Sequence, residues 1–170
     1  MSAASLQVGM NGMPLEGLPV RGRIHHVATV VRDLDAAVKF HAEVLGLPLE
    51  QIADVPSQEV RIAFLTAGGS KIELVAPTNS TSGVARFLGS KGEGFHHLCL
   101  EVSDIDAELQ RLAAAGIQLI NAEAVEGVEG PVAFLHPKSC HGILVELIEA
   151  PGGPAWKRLG YGDPAQLRIR

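Results

Sequence analysis

The hydrophobic pattern of this chain is written twice. Ile24–Val31 is apolar and rich in β-branched residues, which predicts a strand buried on one or both faces. Asp33 then offers an N-cap, and Leu34, Ala37, Val38, Phe40 and Val44 fall at helical spacing. A helix is therefore expected over 34–45, stopped by Gly46. Three strands are expected next, over 47–52, 60–66 and 71–76, the last two joined by the hairpin signal Ala67-Gly68-Gly69-Ser70. Pro77 closes this first module, and a polar linker with a short helix at 84–88 follows. The order then returns. A strand is expected over 95–102, then a helix over 104–115, introduced by Ser103 with Asp106 and stopped by Gly116. Strands over 117–121, 132–136 and 143–149 complete the second module, with an acidic, glycine-containing loop at 123–130 after the first of them.

The match goes beyond pattern to residues. His25-His26-Val27 returns as His96-His97-Leu98, Gly46 as Gly116, and Ile72-Glu73-Leu74-Val75 as Val145-Glu146-Leu147-Ile148. A nearly constant offset over several landmarks marks an internal repeat. The fold class is α+β: two βαβββ modules whose sheets, each covered by one helix, curl side by side into an open, eight-stranded, barrel-like cleft. The domain is expected over 23–151, with module one at 23–77, a linker at 78–93 and module two at 94–151. Residues 1–22 read as a flexible leader and 152–170 as a glycine- and proline-rich tail.

Composition narrows the function classes. The 170 residues are 46% hydrophobic and 19% charged, as in a globular domain. A net charge of −5 and the lack of a basic run argue against nucleic acid as partner. No apolar run approaches the roughly 18 residues of a membrane span. With no secretory signal legible and two cysteines, Cys99 and Cys140, reading as free thiols, a cytoplasmic protein is expected.

The chemistry lies in four residues. The first and last strands of each module each carry one polar residue among apolar neighbours: His26 and Glu73, then His97 and Glu146. An ionised carboxylate there is costly to bury unless it is paired or binds a metal. Two neutral imidazoles and two carboxylates converging on one divalent cation solve the problem in both modules at once. Nitrogen and oxygen donors without thiolate suit Co(II), Mn(II), Ni(II) or Mg(II), and Zn(II) is also admitted. His25 and His96, next along their strands, are expected to point to the opposite face.

At these residues the chain resembles the vicinal oxygen chelate superfamily, the glyoxalase, bleomycin resistance and dioxygenase group, and within it the methylmalonyl-CoA epimerase family. The matching stretches are His25-His26-Val27-Ala28, Gly94-Phe95-His96-His97-Leu98-Cys99-Leu100-Glu101-Val102, and Phe134-Leu135-His136-Pro137-Lys138-Ser139 leading to Gly142-Ile143-Leu144-Val145-Glu146-Leu147. The resemblance implies a homodimer with His26, His97 and Glu146 as metal ligands, and Glu73 in the fourth place, where some epimerases have Gln. The chain departs from the pattern at His141, where a small residue is common. It departs again at Ile62, where some epimerases carry a carboxylate on the third strand; Arg61 stands beside it and Glu59 is off register.

The activity so implied is proton exchange at the α-carbon of a 2-carboxyacyl-CoA thioester, interconverting (R)- and (S)-methylmalonyl-CoA. Glu146 is the first candidate for acid/base work and Glu73 the symmetric second, with Lys138 a candidate contact for CoA phosphates. A lactoylglutathione lyase of the glyoxalase I kind would use the same four ligands. A metal-free small-molecule binding protein of the same fold is the alternative from another class.

Overall fold

The computed structural model describes residues 20–149. The tail expected at 152–170 lies outside the described residues, as does the leader up to residue 19. The elements are β1 (Val20–Val30), α1 (Leu34–Lys39), a π-helical turn (Phe40–Val44), β2 (Leu49–Val55), β3 (Val60–Ala67), β4 (Ser70–Pro77), α2 (Gly83–Lys91), β5 (Gly94–Val102), α3 (Ile105–Ala114), β6 (Val125–Gly127), β7 (Gly130–Leu135) and β8 (Leu144–Glu149).

All eight strands form one sheet in the order β2-β3-β4-β1-β5-β8-β7-β6. Each module contributes the same spatial sequence, and the two meet where β1 and β5 pair antiparallel. Within each module the first strand runs parallel to the last, β1 with β4 and β5 with β8.

The period-two alternation decides which side of the sheet each residue serves. On β3 and β4, Ala63, Leu65, Leu74 and Ala76 pack with Leu34 of α1, while Ile62, Phe64 and Val75 form a separate cluster on the other face. Module two repeats this: Ala133, Leu135 and Leu147 pack with Ile105 and Leu109 of α3, while Val132 and Ile148 pack with Cys99 on the other face. Helices thus cover one face, and the other curls around a cleft. Both helices are capped alike, with Asp33 Oδ1 accepting from Ala36 N and Asp104 Oδ1 from Ala107 N, each at 2.9 Å.

Three expectations at the level of elements need correction. The first helix is α-helical only to Lys39 and then widens, Leu45 N donating to Phe40 O. The cap of α3 is Asp104 rather than Ser103 with Asp106, because a carboxylate in that place also answers the helix dipole. Residues 117–121 are not a ladder strand: Leu119 makes an isolated bridge to Leu135, and the strand is β6, inside the expected loop. Ile117 and Leu119 pack with the α3 cluster, and among the described residues only two backbone hydrogen bonds, Ile120 N to Phe134 O and His136 N to Gln118 O, tie the segment to β7.

Candidate metal centre

Register places the four polar residues on the four central strands. Ala28 lies opposite Glu73 across β1 and β4, and Cys99 lies opposite Glu146 across β5 and β8. In each module the carboxylate is therefore beside the residue two positions after the histidine. Across the central pair, His26 faces Cys99 and Ala28 faces His97, so the two histidines are diagonal neighbours on one face. The structure brings all four together. His26 Nε2 and His97 Nε2 are 3.0 Å apart. Glu146 Oε2 is 2.9 Å from each of them, and Glu73 Oε2 is 3.3 Å from each.

The site is buried: relative exposures are 3% for His26, 5% for His97, 7% for Glu73 and 6% for Glu146. Gathering two carboxylates there needs a compensating charge. Among the described residues, neither Glu73 Oε2 nor Glu146 Oε2 accepts a well-formed hydrogen bond. Their lone pairs share a centre with two imidazole nitrogens. Ligands 90° apart at about 2.1 Å from an ion stand about 3.0 Å from one another, against about 3.4 Å for a tetrahedron. The separations among His26, His97 and Glu146, 2.9 to 3.0 Å, match three adjacent octahedral positions, and Glu73 Oε2 stands farther out, 3.3 Å from each imidazole.

Burial by itself would push both imidazoles down, but Glu146 and Glu73 beside them raise them instead, His97 to about 9. Burial would raise the carboxylates, and the two histidines hold both below the ordinary carboxylate range. Without a cation, the centre thus retains protons on its imidazoles to balance the carboxylates. His25 and His96 behave oppositely: burial, then the neighbouring His26 or His97, lowers each to about 4, so both are neutral.

These two histidines do not turn away from the centre as strand alternation predicts. His25 Nδ1 lies 2.9 Å from His26 Nδ1, and His96 Nδ1 lies 2.9 Å from His97 Nδ1. Register irregularities on either side of His26 break the alternation that placed them elsewhere. His25, His26 and Cys99 also bring donor atoms within 4.8 Å of one another. The Cys99 thiol is pushed far up by burial and by Glu146, which keeps it protonated and a poor ligand.

The cleft over the centre is walled by apolar side chains, Ile62, Phe64, Val75, Val132, Phe134 and Ile148 among them. Ile62, at the place where some epimerases carry a carboxylate, supplies only hydrocarbon. Lys138 is exposed on a short 3-10 turn (Pro137–Ser139) and is outside the cleft lining. Glu129, on the turn between β6 and β7, does line the cleft. No local signal could have found it, because its place depends on how one module's hairpin meets the other module. His141 takes the left-handed conformation, φ 53°, in the loop before β8.

Comparison with known proteins agrees with this fold. The model of the Glyoxalase/Bleomycin resistance protein/Dioxygenase superfamily matches residues 25–134. The chain is 41% identical over 131 residues to the mitochondrial methylmalonyl-CoA epimerase of Mus musculus, covering 76% of this chain and 74% of that protein. It is 42% identical over 129 residues to the ethylmalonyl-CoA/methylmalonyl-CoA epimerase of Cereibacter sphaeroides, covering 74% of this chain and 96% of that one. A solved methylmalonyl-CoA epimerase in complex with methylmalonyl-CoA and NH4+ superposes with a TM-score of 0.74 at 33% identity, over 77% of this chain and 96% of the other. With two βαβββ modules around one cleft, and identity of this extent over most of both chains, the protein belongs to the glyoxalase/bleomycin resistance/dioxygenase superfamily and, within it, to the methylmalonyl-CoA epimerase family.

Proposed function

We propose that this chain is a metal-dependent epimerase that exchanges the α-proton of a 2-carboxyacyl-CoA thioester and so interconverts (R)- and (S)-methylmalonyl-CoA. The observation that supports the reading is the meeting of His26, His97 and Glu146 at one buried point, with Glu73 Oε2 3.3 Å from each imidazole and two carboxylate oxygens lacking hydrogen bonds. These four residues would hold one divalent ion, Co(II), Mn(II), Ni(II) or Mg(II) by the octahedral spacing, with Zn(II) the tetrahedral alternative. Such an ion supplies a Lewis acid for the thioester oxygen as charge develops on it.

The chain's own groups then handle the proton. Glu146, on β8, starts ionised and takes it from one face of the α-carbon. Glu73, on β4, starts protonated and gives its own proton to the other face, the reverse direction beginning from the exchanged state. Inversion needs two carriers, and the placement of β4 and β8 on either side of the β1–β5 pair supports Glu73 and Glu146 in those roles. One proton leaves and one arrives, and nothing is oxidised. Phe64, Phe134 and Ile148 keep bulk water from the α-carbon and leave room for a small alkyl group. Lys138 would meet the CoA phosphates outside the cleft.

The catalytic unit spans the sheet from Val20 in β1 to Glu149 in β8. A homodimer would cover apolar side chains left exposed on the central strands, such as Ile24 and Phe95. No helix among the described residues is long and apolar enough to cross a membrane. An acyl-CoA substrate puts the reaction in a CoA-containing compartment such as the cytoplasm.

The deciding experiment is deuterium uptake from D2O into methylmalonyl-CoA, with and without chelator. Metal-dependent washout at the α-carbon is expected. No washout, together with turnover of a glutathione hemithioacetal, would replace this reading with the lactoylglutathione lyase one.

A further inference from the structure

The two histidine pairs are alike at the centre and unlike behind it. To offer its Nε2 lone pair to a shared ion, His26 must carry its proton on Nδ1. That Nδ1 is 2.9 Å from His25 Nδ1, so His25 accepts there and its own proton is on Nε2. His25 Nε2 faces Glu129 Oε2 at 3.7 Å. That oxygen is buried and, among the described residues, has no hydrogen-bond partner. The other oxygen of Glu129 is gripped by the Lys71 ammonium, which also binds Glu50 Oε2 at 2.6 Å. The carboxylate is thus anchored on one side and open on the other. Closing 3.7 Å to hydrogen-bond length takes a shift of about 0.7 Å, within the reach of a small side-chain rotation.

Module two has the inner half of this arrangement only. His96 Nδ1 meets His97 Nδ1 at 2.9 Å, but the ring of His96 packs edge-on against Phe87, centroids 5.0 Å apart. A carboxylate behind an imidazole fixes its tautomer and raises its basicity, whereas a phenyl ring does neither.

We propose that Glu129, acting through His25, is a positioning residue that orients and polarises His26 for metal binding, so that the hairpin of module two completes a ligand of module one. The proposal rests on the metal reading given above. It makes the site asymmetric, with His26 the more strongly donating imidazole.

The test measures metal affinity and tautomers rather than turnover. Zn(II) and Co(II) dissociation constants are measured by chelator competition for the parent, Glu129→Ala, Glu129→Gln and Lys71→Met. Long-range 15N–1H correlation spectra of the Zn(II) forms read the protonated nitrogen of each histidine. Glu129→Ala is expected to weaken metal binding about 10- to 100-fold. Glu129→Gln, which keeps shape and an acceptor but no charge, should fall between it and the parent. Lys71→Met removes the same ion pair yet leaves the Glu129 carboxylate, and should stay within about threefold of the parent by the same reasoning. In Glu129→Ala the Nε2 proton of His25 loses its carboxylate acceptor, so the His25 ring signals should shift, while those of His96 are unchanged. The idea is overturned if Glu129→Ala binds metal like the parent, if the His25 ring signals do not shift, or if Lys71→Met loses as much affinity as Glu129→Ala. A parent that binds neither metal would overturn the metal reading as well, so the two failures are told apart.

Discussion

Replacing Glu146 by Gln is the sharpest perturbation of the proposed chemistry. The amide matches the carboxylate in size and keeps an oxygen, so the packing with Cys99 and Phe134 is preserved while the charge is lost. The carboxylate sits 2.9 Å from both imidazole Nε2 atoms, and burial leaves water unable to replace it. Loss of a positioned base removes a factor of about 10² to 10⁴, which is about 2.7 to 5.5 kcal/mol of barrier. Weaker metal binding is a separate effect, about 10- to 100-fold, and raising the metal concentration overcomes it.

The assay compares α-deuterium exchange with inversion, starting from each methylmalonyl-CoA epimer at saturating metal. With Glu146→Gln, inversion should fall by the full factor from both epimers. Exchange should survive from the epimer whose proton Glu73 abstracts. Glu73→Gln should show the mirror-image preference. The two-carrier scheme is refuted if either variant inverts at the parent rate, or if exchange and inversion fall together by the same factor from both epimers in both variants.

Metal should stabilise the fold measurably. Free ion at about a thousand times its dissociation constant contributes about 4 kcal/mol, and about 130 ordered residues at about 2.1 cal/mol/K each convert that to a Tm rise of about 15 °C; His97→Ala should abolish the rise in a calorimetric scan. Because Glu146 and Glu73 raise His97 to about 9, against an ordinary 6.5, metal must displace a proton at neutral pH. Apparent affinity, read by chelator competition, should therefore climb at least about tenfold per pH unit between 7 and 9 and flatten above. Leu74, fully buried between β4 and α1, should cost about 2 to 5 kcal/mol in urea denaturation when cut to Ala. In Gly127→Ala the new methyl would stand 2.7 Å from the Gly130 carbonyl oxygen, so loss of the β6–β7 turn is expected, visible as amide exchange at Val125–Gly130.

What the sequence determined by itself was the repeat and its consequences. Alternation of apolar residues on β3, β4, β7 and β8 marks which side chains face a helix, and the landmarks His26, Glu73, His97 and Glu146 stand out as polar residues in apolar strands. These are local signals, carried by a period of two and by the cost of burying charge. Tertiary structure alone decided three things. It turned His25 and His96 inward, because register irregularities along β1 and β5 override alternation. It made 117–121 a packed segment rather than a ladder strand, since apolar residues beneath a helix read like a strand. It also brought Glu129 behind His25 from 104 positions away, through a hairpin whose reach depends on how the two modules join at β1 and β5. Contacts of that kind leave no periodicity in either stretch, because the partner that gives them meaning lies in the other half of the chain.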